Sequence, residues 1–473
     1  MGFARQGQGS HRETFVRASR TRVGWRGCAG FALAFALWPA AAEPAQELPG
    51  RHPSDSGSHQ QGGAEAGGTG DQASVEQAAG GAEDAPSEAE AQTDEVPTFV
   101  VFWDQGLHLQ APHRNFTLRL AGSAQNDSAA FSEAGAEPSF GEVQNGVQWR
   151  RVRVLAEGVF ARYFDYRFQY DFAQNAPPNL KDAYLGFTAP VLPLRIYAGR
   201  FRTPLGLEGH TSGMDTTFME RGLISAFLQS RNTGLLFYAD EGRQAHNFRY
   251  AVGAIKPEDD FGIGSTDKTG VSMRFSYAFQ PGGDVLVHAG ADYTHRPVDE
   301  TVRFLERPES NIAPQFVDTG TISAKSVDTG VFEFALVKGP WSFQSEGAIT
   351  GVNRSEAGPA DPFFWGAYGF VSYMVSGEHR PYQTNQANFG RVLPADPFLG
   401  GGGGRGAFEV AFRMSYLDLE DQDVLGGRLL DLTWAFNWYA TRNARVLTNV
   451  IWADPRPAAG STWIAQVRLQ WAL

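Results

Sequence analysis

The chain has 473 residues, a formal net charge of −12 and 42% hydrophobic residues, enough for one large domain or two to three ordinary ones. Acids outnumber bases 52 to 40 and no polybasic stripe occurs, so nucleic acid is not an expected partner. The single cysteine, Cys28, excludes an internal disulfide and a multi-cysteine metal site.

Residues 1–42 read as an export signal. Arg5, Arg12, Arg17, Arg20, Arg22 and Arg26 stand against Glu13 alone, ahead of "CAGFALAFALWPAAA". That apolar run is shorter than the roughly 20 residues a bilayer-spanning helix needs, and Ala40-Ala41-Ala42 offers a small-residue cleavage site. Cleavage there removes Cys28. Residues 43–97 carry twelve acids against Arg51 alone, with almost no apolar side chain larger than alanine, and are expected to form a disordered acidic linker. The remainder, 98–473, has a net charge of about −6 and is the expected folded domain. No later stretch reaches 18 consecutive apolar residues, so no transmembrane helix is expected.

From Phe116 onward the dominant period is two. In "YFDYRFQYDF" (163–172), Phe164, Tyr166, Phe168, Tyr170 and Phe172 alternate with Asp165, Arg167, Gln169 and Asp171. The same alternation marks 271–279, 408–416, 430–438 and 463–473. About 16 such segments, most roughly 10 residues long, reach the end of the chain, the length a tilted strand needs to cross a bilayer. Soluble sandwich strands average 5–6 residues and share one finite core; here an apolar face recurs on too many strands for that. Backbone groups in lipid must pair internally, so the sheet has to close. The predicted fold is all-β, a closed antiparallel transmembrane barrel of about 16 strands, with aromatics toward lipid and polar residues toward a wet lumen.

An even strand count puts both ends of the barrel on the periplasmic side. The short connections near 158–162, 280–283, 339–340 and 440–443 then fall on that side, and the long ones at 130–147, 203–231 and 295–324 fall outside. Residues 377–405 are long yet periplasmic by this parity, so either the count slips by one there or the segment folds into the barrel.

Several stretches resemble the phosphate-selective porin O and P family: "WRRVRVLAEG", "FDYRFQYDF", "LKDAYLGF", "ERPESNIAPQFVDTGTI", "VSGEHRPYQ" with "FGRVLP", "GAFEVAFRMSYLDL" and "NWYATRNARVLTN". The most specific is "RIYAGRFRTPLGLEGHTSGMDTTFMERGL" (195–223), carrying Pro204, Leu207, Glu208, Ser212, Asp215, Phe218, Glu220 and Arg221. The resemblance spans about 115–473. It implies a 16-stranded homotrimeric outer-membrane porin that passes anions such as phosphate, seated in lipid and lipopolysaccharide, its pore narrowed by the third and fifth loops and a periplasmic turn. The third and fifth loops by parity are 203–231 and 295–324, and the odd periplasmic stretch is 377–405. The chain ends Trp471-Ala472-Leu473, where the family ends in an aromatic.

Anion selectivity needs fixed positive charge in a narrow, low-dielectric passage, and the planar arginine fork suits oxyanions. Alternation turns Arg119, Arg151, Arg153, Arg167, Arg249, Arg274, Arg413 and Arg468 inward, and family-like motifs add Arg202, Arg221, Arg231, Arg303, Arg307, Arg380 and Arg391. Glu157, Asp165, Asp171, Glu333, Glu346 and Glu409 face inward too, so any of these arginines could instead be a paired wall strut with little net field. The five lysines, Lys181, Lys256, Lys268, Lys325 and Lys338, all lie outside 203–231 and 377–405, which departs from the family's lysine-assisted phosphate constriction.

Enzyme signatures are lacking: there is no His-Glu-x-x-His, Walker or nucleophile-elbow pattern, and no cofactor is expected. Gly262 and Gly264 precede no helix, and the glycine run at 400–404 reads as a hinge. The acids Asp418, Glu420, Asp421 and Asp423 could take Ca²⁺ or bridge lipopolysaccharide, but lack EF-hand spacing. A porin for other solutes, or a non-conducting barrel serving as anchor or adhesin, remains an alternative on the same scaffold.

Overall fold

Period-two patterning becomes a closed barrel in the computed structural model, which describes residues 99–473 except 112–114, 133–142, 174–178, 244, 257–267, 283, 356–358, 401 and 458–459. The expected export signal and acidic linker, and the Gly262–Gly264 pair, lie outside the described residues. The strands are β1 (Phe116–Phe131), β2 (Gly146–Phe160), β3 (Phe164–Asp171), β4 (Leu180–Thr188), β5 (Leu194–Arg202), β6 (Arg231–Arg243), β7 (His246–Lys256) and β8 (Gly270–Gly282). They continue as β9 (Val285–Pro297), β10 (Ile322–Lys338), β11 (Trp341–Arg354), β12 (Phe363–Met374), β13 (Ala407–Asp421), β14 (Val424–Tyr439), β15 (Ala444–Arg456) and β16 (Thr462–Ala472). Each pairs antiparallel with the next.

Closure comes from β16 on β1, from Ile464↔Phe131 to Ala472↔Ser123. The other half of β1 would be a bare edge, a liability in any sheet. A leading hairpin, Val100–Trp103 with Leu107–Gln110, covers it, pairing Leu107↔Leu120 through Gln110↔Thr117.

The strand pattern sorts side chains as the period demands. On β10, Glu333, Ala335 and Val337 are buried inward while Phe332, Phe334 and Leu336 are exposed on the outer face. Outward aromatics pair near both rims: Trp341 meets Tyr373 at 4.6 Å beside the short turns, and Trp365 meets Tyr416 at 5.2 Å toward the long loops.

Among the described residues three connections fold inward: 203–230 first, 377–405 second, and 298–321, whose buried Glu309 reaches Arg413 on the inner wall. Residues 203–230, after β5, pack on the inner wall of β11–β14: Phe218 meets Phe370 at 5.3 Å, and Phe227 meets Phe304 of the 298–321 loop at 5.6 Å. This docking needs close approach at Gly222, where a Cβ would stand 2.7 Å from the Tyr368 ring. The odd stretch at 377–405 resolves in favour of an inward fold. Arg380, Asn388 and Phe389 within it are buried, and Tyr382 meets Phe389 edge-on at 5.6 Å.

Candidate functional site in the lumen

The loop at 203–230 is held by wall carboxylates aimed at its backbone. Asp292 accepts the Gly206 N–H at 2.6 Å, and Glu346 accepts those of Leu207 at 2.5 Å and Glu208 at 2.9 Å. Gly206 stands at φ 76°, a conformation that favours glycine, and starts the single helical turn Leu207–His210. Further along, Asn437 donates to the Thr217 carbonyl at 2.8 Å, Arg445 to that of Thr216 at 3.0 Å and Gln470 to that of Met214 at 2.9 Å.

The motif residues of this loop do distinct work. Pro204 is buried, Leu207 is buried in a cluster with Phe389, and Phe218 is fully buried. Glu208 accepts the Gly222 N–H at 2.9 Å and meets Arg413 at 3.4 Å. Glu220 is gripped by Arg150 at 2.7 and 3.0 Å and by Arg468 at 2.6 Å. Burial alone would push the Glu220 carboxyl up, but Arg150 and Arg468 hold it well below the usual range. Asp215 meets Arg391 of the second inward segment at 3.3 Å.

That second segment is tied to the opposite wall. Arg249 donates to the Asn385 carbonyl, Arg274 to that of Ala387 at 2.9 Å, and His288 bonds the Tyr382 hydroxyl at 2.8 Å. Arg380 donates to Gln344 at 2.8 Å and lies 3.7 Å from the Phe389 ring centroid. Asn388 reaches the His210 carbonyl at 3.1 Å, joining this segment to the 203–230 loop. Burial, with Arg274 and Arg202 nearby, keeps the His210 imidazole well below its usual range and therefore neutral.

The arginines fall into two groups by partner. Arg119 pairs with Glu157 at 2.6 Å, Arg153 with Asp171 at 2.7 Å, and Arg167 with Glu157 at 2.9 Å and Asp182 at 3.2 Å. Arg231 meets Asp182 at 2.8 Å, Arg249 meets Asp240 at 2.6 Å, and Arg274 meets Glu333 at 2.9 Å. Arg413 joins Glu309, Arg468 joins Asp127 at 2.7 Å, and Arg303 joins Asp318 in the outer part of the 298–321 loop. The second group bonds uncharged oxygens. Arg151 donates to Gln125 at 2.5 Å, and Arg202 to the carbonyls of Gly209 and Thr211 at 2.9 and 2.7 Å. Arg221 donates to the Glu208 and Thr211 carbonyls at 2.9 and 3.1 Å, and Arg307 to those of Asn311 and Ala313 at 2.5 and 2.8 Å.

With one wall covered, the open space lies along β1–β7. A cavity of about 440 Å³ there is lined by Arg119, Arg153, Arg167, Arg195, Arg202, Arg249 and Arg391, against Glu157, Asp182 and Asp215 as the carboxylate side chains. No lysine lines it. Arg195 was not among the sequence candidates, nor were Arg150 and Arg445, which hold the 203–230 loop. A second cavity, about 290 Å³, lies between 209–230 and 305–315 and is lined by Arg150, Arg221 and Arg307 with Glu220, Glu306 and Glu309, a balanced set. The acidic run on β13–β14 is internally matched: Arg428 holds Asp418 at 3.1 Å and Glu420 at 2.8 Å, and Arg354 holds Asp423 at 2.5 Å.

The chain is similar to known proteins. The family described as phosphate-selective porin O and P matches residues 121–473. Porin O of Pseudomonas aeruginosa is 23% identical over 361 residues, 68% of this chain and 77% of that protein. An uncharacterized protein of Caulobacter vibrioides is 27% identical over 294 residues, 60% of this chain, and the chain spans 58% of that relative's length. Among solved structures, the anion-selective porin from Comamonas acidovorans aligns with a TM-score of 0.45 at 12% identity, covering 76% of this chain and 100% of that one. The high-pH structure of Pseudomonas putida OprB aligns at 0.47 and 10% identity, covering 75% and 94%.

Proposed function

This chain belongs to the phosphate-selective porin O and P family and is an outer-membrane porin, and from that premise we propose a diffusion channel that prefers anions, with phosphate-like oxyanions among its solutes. The observation that carries the preference is the cavity along β1–β7, where seven arginines face three carboxylate side chains. An excess of fixed positive charge on a low-dielectric wall concentrates anions and repels cations. Arginine forks meet two oxygens of an oxyanion at once. A cavity lined without lysine argues for general anion passage over a filter built for phosphate alone.

In this reading Arg167, Arg195, Arg202 and Arg249 act on the solute, while Arg274, Arg413 and Arg468 hold the inward segments in place. The short-turn end faces the periplasm, the export signal delivers the chain, and lipid and lipopolysaccharide surround the barrel. Three copies assemble, as the family resemblance implies. Purified protein in planar bilayers under a KCl gradient tests the proposal. An anion-selective reversal potential is expected, and Arg167→Gln with Arg202→Gln cuts the wall's excess of four arginines to two and moves that potential toward zero. A cation-selective wild-type channel overturns it.

A further inference from the structure

The same wall carries aromatic chemistry as well as charge. Strands β4, β5 and β6 bring Tyr184, Tyr197 and Tyr238 together on the inner face. Tyr184 and Tyr197 stack at 4.7 Å with planes 26° apart, and Tyr197 meets Tyr238 edge-on at 5.3 Å. Tyr238 is buried, whereas Tyr184 and Tyr197 are only half-buried and border the 440 Å³ cavity. Three arginines flank these rings. Arg167 stands directly across the β3–β4 ladder from Tyr184, at the separation where cross-strand side chains touch. Arg195 precedes Tyr197 by two residues and so shares its face. The Arg249 guanidinium lies 4.3 Å from the Tyr238 ring centroid.

A wall built only to pass small inorganic ions has no use for half-buried rings bordering its water-filled cavity. Apolar surface in a wet lumen is stabilised when another apolar surface covers it. Guanidinium forks bordering such rings match one ligand shape: a carboxylate on a planar apolar body. The carboxylate takes two parallel N–H bonds, and the body lies on the tyrosine faces in the offset or edge-on geometry that rings prefer. Phosphate or chloride uses only the first half of that arrangement. Compact lysine ammonium groups would serve inorganic ions, and the cavity has none.

We propose that the lumen holds a subsite for aromatic carboxylates, with Arg167, Arg195 and Arg249 taking the carboxylate and Tyr184 and Tyr197 the ring. This deepens the anion-channel reading and rests on it. The test is block of single-channel current in KCl by benzoate and, separately, by acetate, which carries the same carboxylate without a ring. Benzoate is expected to reach half-block at a concentration about two- to tenfold lower than acetate, the range one ring contact supplies. In Tyr184→Ala with Tyr197→Ala, the two half-block concentrations are expected to converge. Equal block by both acids in an anion-selective wild-type channel overturns the subsite and leaves the channel reading standing. A cation-selective reversal potential overturns both. A folded double variant that keeps the wild-type ratio removes the tyrosines from the subsite, and the wild-type comparison decides the matter whether or not that variant assembles.

Discussion

Arg413 ties both the 203–230 and the 298–321 loop to the wall, and its replacement by methionine separates a strut from a solute contact. It is fully buried, with Nη2 2.5 Å from Glu309 of the 298–321 loop and Nη1 3.4 Å from Glu208 of the 203–230 loop. It also donates to the Glu220 carbonyl at 3.1 Å and lies 4.2 Å from the Phe218 ring centroid. Arg413→Met keeps most of the volume and leaves Glu309 and Glu208 to neutral donors such as Thr433 at 2.6 Å and the Gly222 N–H at 2.9 Å. Breaking a buried pair by removing one partner costs about 3–5 kcal/mol, which shifts loop docking by a factor on the order of a hundred or more. Loosened loops should widen and destabilise the passage, giving a larger and noisier single-channel current. Heat-dependent mobility in SDS gels confirms that the barrel itself is intact. Arg413→Lys, which keeps charge but loses the fork, should fall between the two. Wild-type conductance and noise in the methionine variant would refute the strut argument. A quiet channel with reduced anion selectivity would place Arg413 on the solute path instead.

Burial pushes the Glu306 carboxyl up to about 7, although it accepts hydrogen bonds from Ser225 and the Arg307 N–H. A free glutamate titrates near 4.3, so the docked loop binds a proton that the undocked loop has lost between those values. Docking of 298–321 is therefore firmest below about pH 4 and weakens as pH rises through 7. Amide protection factors across 303–318, taken against the intrinsic exchange rate at each pH, should be lower at pH 8 than at pH 6, and Glu306→Gln should erase the difference; higher protection at pH 8 sinks the argument. Asp431 is fully buried on β14, and among the described residues no donor reaches either carboxylate oxygen. Asp431→Leu, of similar size and without polar atoms, should raise the thermal midpoint of barrel unfolding, by an amount corresponding to about 1–3 kcal/mol, and a lowered midpoint would show that the carboxylate has a stabilising role.

The barrel was legible because lipid imposes one rule on the strands, and most outer faces obey it; β1, with Asn126 and Ser128 outward opposite Leu469 and Val467, is a departure. What the period could not show is which charges remain open to the solute, since that depends on what lies against the inner face. Arg150 illustrates the first gap. Strict alternation with Arg151 and Arg153 aims it at lipid, yet the β1–β2 register slips between Gln125 and Asn126, and Arg150 turns inward onto Glu220. A signal was present in "WRRVR": arginine at lipid depth costs about 2–4 kcal/mol, so arginines on both parities imply a bulge. Arg445 illustrates the second. Its inward neighbours Leu447 and Ile451 are apolar and fully buried, because that part of the lumen is filled by protein rather than water. A polar-inside rule therefore fails wherever the 203–230 loop docks, and apolar residues on both faces of β15 mark the place. In 377–405 the matching clue was Tyr382 and Phe389, aromatics out of keeping with a solvated turn.

It follows that the number of arginines in the sequence overstates the field a solute meets. Glu208 and Glu220, the two glutamates of the loop motif, lie against Arg413, Arg150 and Arg468 to hold the loop to its wall, and each such pair cancels at a distance. Selectivity belongs to the wall left uncovered, where Arg202 bonds only carbonyls and Arg167 shares two carboxylates with its neighbours. The loop that narrows the passage thus also decides which arginines count. A substitution that undocks it would widen the pore and, by freeing the glutamates and arginines of the far wall together, add little net charge to it. Conductance and selectivity should therefore respond separately: struts such as Arg413 govern the first, and the β1–β7 arginines govern the second.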